Sequence, residues 1–142
     1  MSYSNPDRRM FSFGTFDFGG GADETFSIIG PKGKACRLFD YGVFGVTEVF
    51  AAGTNTPRMM VGSPSDDDAY GDEFDFGALA DNHGKSIRST YGPYDTANLA
   101  LYLLTAGQTI AADAEVVVKC VAGTGSGLTG MAIPFVILDY DW

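Results

Sequence analysis

The stretch GSGLTG, Gly125 to Gly130, fits the pattern G-x-G-x-x-G and follows the strand-like run EVVVKCVAG, Glu115 to Gly123. A dinucleotide-binding loop of that pattern works because a helix starts at its end, presenting free N–H groups and a positive dipole end to the pyrophosphate. Here the following residues are MAIPFVILDYDW, Met131 to Trp142, which are β-branched and aromatic and carry Pro134. The sequence therefore predicts a second strand instead of a helix, and the Gly/Ser/Thr stretch reads as a hairpin connection whose glycines supply positive φ.

Working outward, short strand-like runs recur with Gly-rich punctuation. In MFSFGTFDFGGG, Phe11 and Phe13 alternate, then Phe16 and Phe18, with the period slipping at Gly14-Thr15, as a bulge or sharp bend requires. TFSIIG gives a short strand. Ala35 to Ala51 reads as one long strand or two strands bent near Gly42 or Gly45, and RMMVG and FDFGALA as further strands. SPSDDDAYGDE reads as a polar acidic loop, and DNHGKSIRSTYGPYDT as a long surface connection. Residues 97–104, within ANLALYLLTAG, have both helical composition and strand length and are read as a strand. The expected fold is all-β: an antiparallel β-sandwich, jelly-roll-like, of about eight short strands. The domain is expected to cover residues 11–142 and to be preceded by an N-terminal arm, residues 1–10, which lacks the apolar alternation that begins at Phe11.

Composition narrows the function classes. The chain has 142 residues, 45% of them hydrophobic and 13% aromatic, enough for an ordered core. Its net charge of −9 disfavours a surface for nucleic acid or anionic membrane, both of which need clustered Lys and Arg. The longest apolar runs fall well short of the roughly 20 residues that span a bilayer, and MSYSNPDRRMF lacks the apolar segment of a signal peptide, so synthesis in a cytoplasm is expected. In that compartment Cys36 and Cys120 read as reduced, buried thiols, with a single disulfide as the alternative.

Candidate chemistry is sparse. The Phe stripe reads as core, because sugar-stacking platforms favour Tyr and Trp. The tract from Asp66 to Asp75 holds enough carboxylates for calcium but no EF-hand spacing, so a solvated acidic loop is the leading reading. His83, beside Asp81, lacks a flanking nucleophile elbow, and one His with two distant Cys matches no zinc spacing. No catalytic residue, cofactor or metal is expected. Arg8 and Arg9 stand together in a chain with only nine basic residues. With Tyr3 and Pro6, they are the candidate partner contacts, an arm that reaches carboxylates on a neighbour.

Three pieces of the chain together resemble small structural proteins encoded in tailed-phage head modules. They are FSFGTFDFGGGADETFSIIGPKGKACRLFDYGV, YGDEFDFGALAD, and EVVVKCVAGTGSGLTGMAIPFVILDYDW, the last ending its final strand in an aspartate-aromatic pair. The resemblance implies a capsid decoration, or cement, protein. Such a protein is β-rich and non-enzymatic, oligomerises commonly as a trimer, and binds the major capsid protein on the outside of the head, so its place is the virion surface. Ser65 to Glu73 and the two cysteines do not map onto that group, and no role is carried over to them. Two rivals remain: a glycan-binding sandwich using Tyr70, Tyr91 and Tyr94, and a small enzyme centred on His83.

Overall fold

The computed structural model describes residues 7–29, 34–51, 53–77, 79, 83–92 and 94–140. The described chain forms nine strands: β1 (Asp7–Ser12), β2 (Phe16–Asp17), β3 (Glu24–Ile29), β4 (Arg37–Ala51), β5 (Arg58–Ser63), β6 (Asp66–Asp75), β7 (Lys85–Ser86), β8 (Glu115–Val121) and β9 (Thr129–Tyr140). Two short helices, α1 (Ile87–Tyr91) and α2 (Thr96–Tyr102), and a 3₁₀ turn at Thr105–Gln108 lie between β7 and β8. The strands make two antiparallel sheets. Sheet A runs β1-β9-β4-β7, with β2 continuing β1 along β9, and sheet B runs β3-β8-β5-β6. The fold is an all-β sandwich.

The pairing is nested. β5 pairs with β6, β4 with β7, β3 with β8, and β1 and β2 with β9. The chain is thus one long hairpin, rolled up so that the ladders β4–β9 and β5–β8 complete the two sheets. This is the jelly-roll winding, two Greek keys sharing a core. It also corrects the reading of the glycine stretch, since β8 lies in sheet B and β9 in sheet A, and the two do not pair. The Gly125–Gly130 stretch is therefore an arch between sheets and not a hairpin turn. It is pinned by backbone bonds between Thr124 and Asn55, and Gly127 takes φ 74° in the turn itself.

An aromatic chain joins the sheets. Phe50, near the end of β4, and Phe76, just past β6, lie 5.8 Å apart edge-on, and Phe18 packs at 5.3 Å from each. Phe16 and Phe74 extend the row to either side. On the flank formed by β1 and β3, Phe13 stacks on Phe26 at 4.8 Å and closes the gap between sheet edges. On the opposite flank the helical insertion closes it: α1 packs on β4 and β7, and α2 and the 3₁₀ turn pack on β6. Lys85 of β7 spans the same flank, donating to the carbonyls of Asp75 and Phe76.

Four further expectations need correction. Residues 97–104 are largely helix, because the Asp95 side chain accepts from the N–H of Asn98 and caps α2, a local bond that a strand cannot offer. The expected surface connection from Asp81 to Thr96 contains β7 and α1, where Ser86 and Ser89 form a reciprocal cap and Ile87 enters the core. The acidic tract is strand β6, whose Phe74 faces inward and whose carboxylates line the outer edge of sheet B. Beyond the short bridge from Gly71 to Leu103, like charges along this edge discourage pairing with another chain, so these residues have a structural reason to be acidic. Finally, β1 begins at Asp7, so residues 7–10 are an edge strand and not part of an arm; residues 1–6 lie outside the described residues.

Asp40 is the buried polar anchor of the β4–α1 junction. Its Oδ1 accepts from the N–H groups of Tyr41 at 2.9 Å and Arg88 at 3.1 Å. Burial pushes its carboxyl above the usual range, against the opposing pull of those bonds. A raised folded value means that its contribution to stability is present at low pH and lost as pH rises through that value. Asp40→Asn keeps the acceptor and removes the charge, so its stability relative to the native chain should improve between about pH 3 and pH 7 in urea titrations. Asp40→Leu strands two buried N–H groups and should cost about 2–5 kcal/mol. Phe76→Ala, which empties the junction of the aromatic row, should cost about 3–5 kcal/mol by the same measurement.

Candidate interaction surface

In a two-layer sandwich one face of each sheet meets the core and the other normally alternates to polar residues. β9 breaks that rule. Its core side carries Ala132, Val136, Leu138 and Tyr140, while the intervening positions are Met131, Ile133, Phe135 and Ile137 before the series ends at Asp139. Cross-strand partners share a face, so the register adds neighbours to this outer row. Met10 stands opposite Ile137, and Phe44 opposite Ile133. Phe44 packs edge-on against Phe135 at 5.8 Å and helps to bury it. Met131, Ile133, Ile137 and Phe44 are half-buried, and Met10 is 51% exposed.

Opposite charges flank the two ends of this row. At the Asp139 end, Arg8 of β1 and Arg37 of β4 stand on either side of that carboxylate. Arg37 donates through Nε at 3.0 Å and Nη2 at 2.8 Å to Asp139 Oδ2, and Arg8 Nε lies 3.5 Å from the same oxygen. Phe39 is sandwiched between the guanidinium groups of Arg8, 3.8 Å from its ring centre, and Arg88, at 3.9 Å. Two arginines, Arg8 and Arg37, thus share one fully buried carboxylate, and nearby Arg88 is held below its usual basicity by burial and by the neighbouring arginines, though Asp40 opposes this. At the other end, Asp17 of β2 and Glu48 of β4 both pair with Met131, and both are exposed. Neither joins an ion pair among the described residues.

The sequence-derived candidates divide unevenly over this picture. Arg8 belongs to the basic end, but its contacts are within its own chain. Arg9 points the other way, pairing with Asp7 at 2.8 Å and lying over the Tyr140 ring. The arm reading fails for both because β1 uses them as sheet residues. Tyr3 and Pro6 lie outside the described residues. Asp66, Asp67 and Asp68 bring one ligand oxygen each within 4.8 Å of one another, the sole such trio among the described residues. Lys119 already pairs with Asp67 at 2.7 Å, and Asp66, through a hydrogen bond and its charge, raises the Asp68 carboxyl above its usual value. His83 is exposed and contributes its carbonyl to Val46 N–H; no side-chain hydrogen bond orients its imidazole among the described residues. Tyr91 stacks on Tyr102 at 5.4 Å, Tyr70 packs on the core, and Tyr94 alone stands 93% exposed, so the tyrosines expected to hold a sugar present no shared open platform.

Cys36 and Cys120 are both buried and free. Burial pushes their thiols up to about 11 and about 12, too high for a reactive thiolate at neutral pH. No helix among the described residues is long and apolar enough to cross a membrane.

No protein-family model, no curated protein and no solved structure matches the chain.

The Asp139 cluster gives a direct stability test. Asp139→Asn removes the charge that holds Arg37 and Arg8 together and should cost about 1.5–3 kcal/mol, read from the denaturation midpoint at unchanged slope.

Proposed function

We propose that this chain is a non-enzymatic structural protein of a virion, decorating the outer surface of an icosahedral head by binding the major capsid protein and further copies of itself. The observation that carries this reading is the apolar outer row of sheet A, with charges at both ends, on a fold whose described residues present no oriented catalytic group. Such a row, rimmed by polar residues, is the anatomy of a protein contact. A carboxylate-rich exterior suits a protein that sits outside a shell packed with nucleic acid, because it does not compete for phosphates. Its acidic β6 edge resists strand addition there. Repetition around a symmetric shell turns contacts that are weak singly into a stable coat. Mass spectrometry of gradient-purified particles should find the chain in stoichiometric, repeated copies. Recombinant protein should co-sediment with capsids that lack it. A chain absent from particles, or one that stays in the supernatant, overturns the proposal.

A further inference from the structure

The outer row of sheet A has a property that any capsid partner leaves unexplained: it is complementary to itself. Met131 and Asp139 are eight positions apart on β9, about 27 Å at the rise of an antiparallel strand. The arginines cluster at one end and Asp17 and Glu48 at the other, and the β9 side chains between them are apolar, flanked by Met10, Phe44, Ser12 and the buried Asp40. A half-turn about an axis lying in the face and perpendicular to the strands lays a second copy over the first with its direction reversed. Arg8 of each copy then faces Asp17 of the other and Arg37 faces Glu48, because this axis sets β1 over β2 and β4 over β4, while Ile137 of each copy meets Ile133 of the other. An axis parallel to the strands sets like charges against each other, so the pattern selects one two-fold arrangement over the other. Face-to-face sheets pack about 10 Å apart, a spacing that the central side chains can fill.

The geometry points to an isologous dimer of this chain, formed by the outer faces of sheet A, with the arginine end of each copy seated on the Asp17–Glu48 end of its partner. The partner is a second copy because the two charged ends and the apolar centre come from one surface. The arrangement replaces the trimer that the family resemblance implies. It goes beyond the virion reading and does not depend on it, since the complementarity is a property of the chain alone.

Sedimentation velocity on the full chain over about 1 µM to about 1 mM brackets the affinities of modest interfaces. The native protein should pass from monomer to dimer within that range. Met10→Asp puts a charge on the exposed part of the apolar row and should weaken association at least tenfold, while circular dichroism stays unchanged. Arg8→Asp and Asp17→Arg should each weaken it, and the two together should restore it, because the exchanged charges meet again across the two-fold axis. A chain that remains monomeric, one that forms trimers, a dimer indifferent to Met10→Asp, or a charge exchange without recovery overturns the inference. Absence from purified particles sinks the virion reading and leaves the dimer standing. Capsid binding by a strict monomer does the reverse.

Discussion

Phe50 and Phe76 meet across the space between the two sheets, with Phe18 against both, and all three rings are completely buried. Each ring sits at or just beyond the end of a strand: Phe18 after β2, Phe50 near the close of β4, Phe76 after β6. Their packing therefore fixes the distance between the sheets and also where the strands stop. Gly130, at the start of β9, has no room for a side chain beside Phe50, since a Cβ would come within 2.9 Å of the ring. The second position of β9 must therefore be a residue without a side chain, while in the arch before it Gly125 is kept small by Thr54.

Strands whose two faces differ were legible in the sequence. The Phe alternation with its slip at Gly14-Thr15 became β1 and β2 separated by a bend, with Gly14 at φ 75°. Ala35 to Ala51 became, from Arg37 on, a single long strand whose register shifts fall at Phe39, between Phe44 and Glu48 and between Glu48 and Ala51, the second of them at the expected bend near Gly45. What escaped depends on partners that the sequence does not name. Asp95 is one polar residue before an Ala/Leu-rich run, and only its bond to Asn98 N–H converts that run to helix. The acidic tract looks like a loop until Phe74 and Phe76 give it an inward face. Whether two adjacent strands pair or cross between sheets is decided by their other neighbours, so in the sequence alone the glycine arch looks like a hairpin.

The outer row of sheet A had a sequence signal of its own. MAIPFVIL lacks the polar alternation of a half-exposed strand, and such continuity means that both faces of β9 meet apolar surroundings. One is the core. The charged ends of the other became visible only through register, because Arg8, Arg37 and Asp139 are brought together from three strands, as are Asp17, Glu48 and Met131. Lining up charges from β1, β2, β4 and β9 requires knowing the ladder that joins them.

The rolled-hairpin winding also sets an order of assembly. β9 is hydrogen-bonded to β1, β2 and β4, so it holds sheet A together, yet it follows every other strand in sequence. On a ribosome the chain can complete sheet B, whose last strand is β8, while β1, β2 and β4 still lack their shared partner. The inner aromatic surface of those strands stays open to water until residues 129–140 emerge. Closure then joins segments separated by most of the chain, the kind of long-range pairing that folds slowly. The strand that carries the outward apolar row is thus also the last to be made, so the surface for docking does not exist before the sandwich is complete.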